Sequence, residues 1–168
     1  WLDKAMVYSC AYFEEPDDDL DSAQAKKLDY ICRKLRLRPG DRLLDIGCGW
    51  GALVMHAARS FGVKARGITL SQPQADLANK RIHEEGLAKR CWVDVLDYRE
   101  IDETGTYDKL VSVGMFEHVG ESQLSEYFDR AWQLLRPGGV FLNHGISSSI
   151  KWWKMRGPSF VDTYVFPD

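Results

Sequence analysis

The stretch Leu43-Leu44-Asp45-Ile46-Gly47-Cys48-Gly49-Trp50-Gly51 decides the fold. A short apolar strand runs into three glycines at alternate positions, and residues 52–61 after them have helical character until Gly62 stops it. Glycines permit a tight turn and let a ligand lie against bare backbone, and a following helix directs its first N–H groups at that ligand. The alternative is an ordinary strand–helix turn with no ligand.

Outward from this unit the same alternation continues. Upstream, the acidic run Asp17-Asp18-Asp19 reads as a solvated loop and helix start. A helix follows over 23–37, with Ala25, Leu28, Ile31, Cys32 and Leu35 at helical spacing, and Arg38-Pro39-Gly40-Asp41 breaks it. Downstream, strands are expected over 64–70, 91–96, 109–113 and 140–144. Helices are expected over 74–85, with Pro73 at its start, and over 122–135, closed by Arg136-Pro137-Gly138-Gly139. Short, nearly all-apolar strands alternating with helices imply an α/β fold: a doubly wound, mostly parallel Rossmann-like sheet with helices on both faces. The expectation is a single domain. Residues 1–40 form a helical lid segment, 41–146 the Rossmann-like core and 147–168 the start of a substrate-covering region. The sheet is expected to stop after strand five, without two further strands at its edge.

Composition narrows the function classes. With 22 basic and 25 acidic residues the 168-residue chain has a formal net charge of -3, which argues against a nucleic-acid binder working by bulk charge. At 45% hydrophobic and 12% aromatic it can build a real core. There is no apolar run long enough for a membrane span, and Trp1-Leu2-Asp3-Lys4 lacks the pattern of a signal peptide, so a cytoplasmic location is expected. A start on Trp rather than Met reads as part of something longer. Cys10, Cys32, Cys48 and Cys91 form no C-x-x-C pair and read as reduced thiols, Cys32 and Cys91 as buried ones. No metal site is expected.

The glycine spacing carries chemistry of its own. G-x-G-x-G is tighter than the G-x-G-x-x-G that cradles a pyrophosphate. Asp45, two residues before Gly47, repels a phosphate but attracts an ammonium group. The second strand ends Gly67-Ile68-Thr69-Leu70-Ser71, with no carboxylate for ribose hydroxyls, so Thr69 and Gln74 are left for that work. A ligand with an ammonium and no phosphate fits these features, and S-adenosylmethionine is such a ligand. Asp97, after strand three, either accepts from the adenine amino group or caps a turn. A dehydrogenase is disfavoured by the loop spacing and the missing acid.

Other segments are more specific than the loop. Tyr8-Ser9-Cys10-Ala11-Tyr12-Phe13, the glycine loop, Gly67-Ile68-Thr69-Leu70-Ser71, Phe116-Glu117-His118-Val119-Gly120 and Tyr164-Val165-Phe166-Pro167 together resemble the cyclopropane-fatty-acid synthases, including the mycolic acid cyclopropane synthases. The resemblance covers nearly the whole chain. It implies methyl transfer from S-adenosylmethionine to the cis double bond of an unsaturated acyl chain, on a phospholipid or a carrier, with proton loss and closure to a cyclopropane ring. It also implies a bound bicarbonate that takes the proton. Cofactor contacts would fall on Tyr8, Ser9, Gly47, Gly49, Thr69, Leu70 and Gln74, with Asp97-Tyr98 near adenine and Asp45 and Gly51 completing the loop. Bicarbonate contacts would fall on the backbone of Cys10, on Glu117, on His144 and on the backbone of Ile146. That makes Glu117, His144 and Cys10 the catalytic candidates. Further catalytic residues, a tyrosine and a cysteine, are expected beyond residue 168.

The residues themselves are compatible with this chemistry. Glu117 and His144 end strands four and five, at the edge where ligands sit in open α/β sheets, and both side chains suit proton transfer. A cationic intermediate is favoured by carboxylates and aromatic faces, so Glu117, Tyr12, Phe13 and Trp50 are candidate neighbours. His118 is expected to hydrogen-bond its loop. Lys151-Trp152-Trp153-Lys154-Met155-Arg156 is either a peripheral contact with the inner membrane face or a solvated helix with inward tryptophans. The alternatives to cyclopropanation are methyl branching by a relative of the same family, methylation of a different lipid or small molecule, and a module that binds cofactor or lipid without catalysis.

Overall fold

In the computed structural model, residues 1–147 are described. Five strands, β1 (Arg42–Ile46), β2 (Lys64–Thr69), β3 (Cys91–Val95), β4 (Tyr107–Val113) and β5 (Leu135–His144), form one sheet in the order β3-β2-β1-β4-β5. Every pairing is parallel, which satisfies the expectation of a Rossmann-like sheet. The helices are α1 (Leu20–Lys34), α2 (Ala52–Phe61), α3 (Gln72–Glu84) and α4 (Leu124–Leu134). From β1 the chain winds one way through β2 and β3, then returns to the other side of β1 for β4 and β5. The carboxyl ends of β1 and β4 therefore face a crevice where the winding reverses, the place such sheets bind ligands.

The alternation of side chains along β1 explains the two layers. Leu43 packs with residues of α1, α2 and α3 such as Ile31, Val54 and Ala78. Leu44 and Ile46 point the other way and pack with Leu110 and with Ala131 and Leu134 of α4. Helices thus cover both faces. Asp45 lies on the same side of β1 as Leu43, and this brings a carboxylate under α1.

Three details depart from the sequence reading. The first helix begins at Leu20, with Asp19 as its N-cap accepting from the Ser22 amide at 2.7 Å. Its Ala25 is exposed; the buried stripe includes Gln24 and Lys27 in positions where an apolar residue is expected. The last helix starts at Leu124, after a 3-10 turn over Glu121–Gln123. The fifth strand begins at Leu135 and takes in Arg136-Pro137-Gly138-Gly139, which read as a helix terminator. These four residues stand against Asp108 alone, between the Leu135–Tyr107 and Val140–Lys109 pairs. Such a bulge accommodates a proline that cannot donate to the ladder. Asp108 secures it with Arg136 on one oxygen and the Arg42 amide, 2.7 Å away, on the other.

Candidate active site at the carboxyl edge of the sheet

The glycine loop is braced from below. The amides of Gly47 and Cys48 both donate to the Ile68 carbonyl of β2, at 3.0 and 2.9 Å, and are turned to the sheet rather than to a ligand. Gly49, at φ +54°, lies bare between two cavities; a Cβ there would come within 2.9 Å of the Tyr8 ring. Gly51, at φ +79°, begins α2 and is buried against α3, where a Cβ would meet that of Ala78 at 2.9 Å. Gly51 lines neither cavity. Its requirement for glycine comes from helix packing, which corrects its expected place at the cofactor surface.

The larger cavity, of about 600 Å³, opens over the ends of β1, β2 and β3. Thr69 is nearly buried and donates through its hydroxyl to Gln74 Oε1 at 2.7 Å. Gln74 in turn donates through Nε2 to the Tyr8 hydroxyl at 3.4 Å. Thr69 and Gln74 are thus joined to each other, and Leu70 stands exposed at the rim. Across the cavity Asp97 begins a 3-10 turn over Tyr98–Glu100. Both its oxygens are held by the Arg99 guanidinium, at 2.9 and 2.6 Å, and this ion pair keeps the carboxyl below its ordinary range. The turn-capping and ligand-facing readings of Asp97 coexist: it caps through the Arg99 amide and still lines the cavity. Tyr98 packs edge-on to Tyr127, centroids 5.4 Å apart.

The smaller cavity, of about 300 Å³, shares Tyr8, Gly47, Gly49, Gly114 and His118 with the larger one. It gathers Ser9, Cys10, Asp45, Glu117, His144 and Ile146. Glu117 sits on a 3-10 turn after β4. Its Oε1 accepts from the Ile146 amide at 2.7 Å, whereas its buried Oε2 has no partner among the described residues. The amide assigned to an anion by the resemblance is therefore engaged by Glu117. His144 is exposed at the end of β5, where its carbonyl accepts from the Gly114 amide at 2.9 Å. Burial alone raises the Asp45 carboxyl to about 7.

The cover of both cavities is the segment before α1, which has no regular structure over 6–13. Asp3 folds it by accepting from the Ala5 and Val7 amides, at 3.1 and 2.7 Å. Gln24 Nε2 donates to the carbonyls of Val7 and Ser9, at 3.1 and 3.0 Å. Lys27 Nζ donates to the Ser9 hydroxyl at 2.7 Å and its carbonyl at 3.2 Å.

Most residues expected at the site are thus brought together around Gly47 and Gly49. Tyr12 and Phe13 are not: Tyr12 stacks on Tyr30 of α1 at 5.2 Å, Phe13 is exposed, and neither lines a cavity. Trp50 does line the smaller one. His118 reaches both cavities rather than serving its loop alone. Lys27 and Gln24 were missed by sequence reasoning; their signal was a pair of polar residues three apart within the buried helical stripe. The Lys151–Arg156 patch and the Tyr164–Pro167 segment lie outside the described residues. Among those residues no group of His, Cys, Asp and Glu is placed to hold a metal, and no helix is long and apolar enough to cross a membrane.

Comparison with known proteins accounts for this arrangement. The family model described as mycolic acid cyclopropane synthetase matches residues 1–168. A probable fatty acid methyltransferase of Pseudomonas putida is 49% identical over 99% of this chain and 43% of its own length. The cyclopropane-fatty-acyl-phospholipid synthase of Escherichia coli is 42% identical over 99% of this chain and 41% of its own. Among solved structures, a mycolic acid cyclopropane synthase, CmaA1, complexed with SAH and CTAB, superposes with a TM-score of 0.89 at 37% identity, covering 99% of this chain and 61% of that one. The chain spans about two fifths of the length of the curated relatives it matches. It belongs to the mycolic acid cyclopropane synthetase family.

Proposed function

We propose that this chain carries the cofactor-binding and proton-handling residues of an enzyme that methylates the cis double bond of an unsaturated acyl chain and closes it to a cyclopropane. The observation that supports this most directly is the place of Glu117. A half-satisfied carboxylate with one buried oxygen stands in a cavity that meets the other at Gly47, Gly49 and Gly114. S-Adenosylmethionine, when bound, supplies an electrophilic methyl whose transfer to the alkene leaves a carbocation, and loss of a proton from that methyl closes the ring. In this reading Thr69, Gln74 and Tyr8 hold the nucleoside end, Asp97 accepts from the base, and Asp45 receives the ammonium, which would stabilise its ionised form.

At the other end Glu117 contributes a negative charge facing the developing cation. Its Oε2 is an acceptor that the hydroxyl of a bicarbonate, held near Cys10 and His144 in this reading, would satisfy. The substrate proposed is an acyl chain of a phospholipid or an acyl carrier. The cytoplasm is the proposed location, with peripheral contact at the inner membrane face. Methyl branching without ring closure is a second reading, favoured by the name of the Pseudomonas putida relative.

The test is incubation of the protein with S-adenosylmethionine and vesicles of unsaturated phospholipid. Cyclopropanation adds one CH2 per double bond and gives cyclopropane protons in the NMR spectrum; a branched product lacks those signals. Glu117→Gln should lower turnover by about 10²-fold or more, the scale of a lost acid–base group, while S-adenosylhomocysteine binding stays within about threefold. Wild-type turnover in Glu117→Gln would refute its role, and no mass gain on any unsaturated chain would refute the reaction.

A further inference from the structure

Lys27 is 5% exposed, in the middle of α1, on a buried face it shares with Ala23, Gln24, Leu28, Ile31 and Cys32. A lysine so placed is unfavourable unless its donors are used. Both of its hydrogen bonds go to Ser9, and neither acceptor is charged. No carboxylate lies within salt-bridge distance of it among the described residues. The charged and titratable groups around it are Asp3 and Cys10 on the covering segment and Asp45, Glu117, His118 and His144 lining the cavity it shares with them. Gln24, three residues earlier on the same helix face, donates to the same Ser9 carbonyl. One turn of α1 therefore fixes the covering segment at Ser9. The residue before it, Tyr8, closes over Gly49 and bonds to Gln74.

We infer that Lys27 is a positioning residue for cofactor binding: its ammonium group holds Ser9, and through Ser9 sets Tyr8 over the glycine loop. The inference rests on the cofactor reading given above.

The experiment is calorimetric titration of S-adenosylhomocysteine into the wild-type protein, Lys27→Met and Lys27→Arg, with melting temperatures measured without ligand. Lys27→Met should bind about tenfold more weakly or worse, with its ligand-free Tm unchanged or raised, because an apolar chain replaces a buried cation. Lys27→Arg, which keeps charge and donors, should stay within about threefold. Wild-type affinity in Lys27→Met overturns the inference and leaves the cofactor reading standing, whereas a wild-type protein that does not bind overturns both. Equal losses in the two variants, with a matching fall in Tm, also overturn it, since the role would then be one of fold alone. Lys27→Gln, a shorter polar chain that stops short of Ser9, should bind as weakly as Lys27→Met, and wild-type affinity in it overturns the inference even if Lys27→Met does not fold.

Discussion

Asp45 occupies the central strand, 3% exposed, with its carboxyl raised by burial to about 7. In the unfolded chain the same group titrates near 3.9. Between those two values the folded chain holds a proton that the unfolded chain has released. Its contribution to stability is fully present below about pH 4 and is lost as pH rises through about 7. An ammonium bound there, as proposed, would favour the ionised form and offset this cost. Asp45→Asn should therefore melt some 3–6 °C above the wild type at about pH 8 without ligand, with the gap closing below about pH 4. The same variant should bind S-adenosylhomocysteine about tenfold more weakly. Thermal melts across that pH range, paired with one titration, check both signs. Asp45 as a cavity-lining acid was legible in the sequence, because a strand-end acid before a glycine loop is a local pattern. Tyr12 was not legible in the same way, since its position depends on a ring thirty residues into the chain.

At the level of elements, the glycine loop divides its labour. Gly47 and Cys48 are tied to β2, Gly49 faces the ligand cavities, and Gly51 allows α2 and α3 to approach. Gly51→Ala should destabilise the protein by about 2–4 kcal/mol, combining a left-handed backbone with an overpacked helix contact. Cofactor affinity of the molecules that remain folded should be nearly unchanged. Chemical denaturation and a titration below the transition separate the two effects; a stable Gly51→Ala protein that has lost ligand would return Gly51 to the cofactor surface. The periodicities of the strands and helices were readable because burial imposes them locally. The bulge over Arg136–Gly139 was not, because proline and glycine end a helix and interrupt an edge strand equally well. Lys27 was hidden for a related reason: its partner is a backbone segment, and nothing in a helical pattern shows what lies above it.

At the scale of the molecule, five parallel strands converge on one edge, and that edge carries both cavities and nearly every residue with reactive chemistry. Strand ends therefore pointed to the cavity that Glu117 and His144 line, although their partners at Ile146 and Gly114 required the fold. A ligand bound only by the folded chain raises its stability by mass action. S-Adenosylhomocysteine at a hundredfold its Kd should add about 2.7 kcal/mol, or about 5–10 °C in Tm for a chain of this size. A melt that does not move under saturating ligand would mean that the edge does not bind it. Tyr8, which walls both cavities at once, has a consequence beyond holding either ligand. A guest in one chamber that shifts Tyr8 would move the boundary of the other, and any factor the first then lends to the second must be returned in the reverse order of addition.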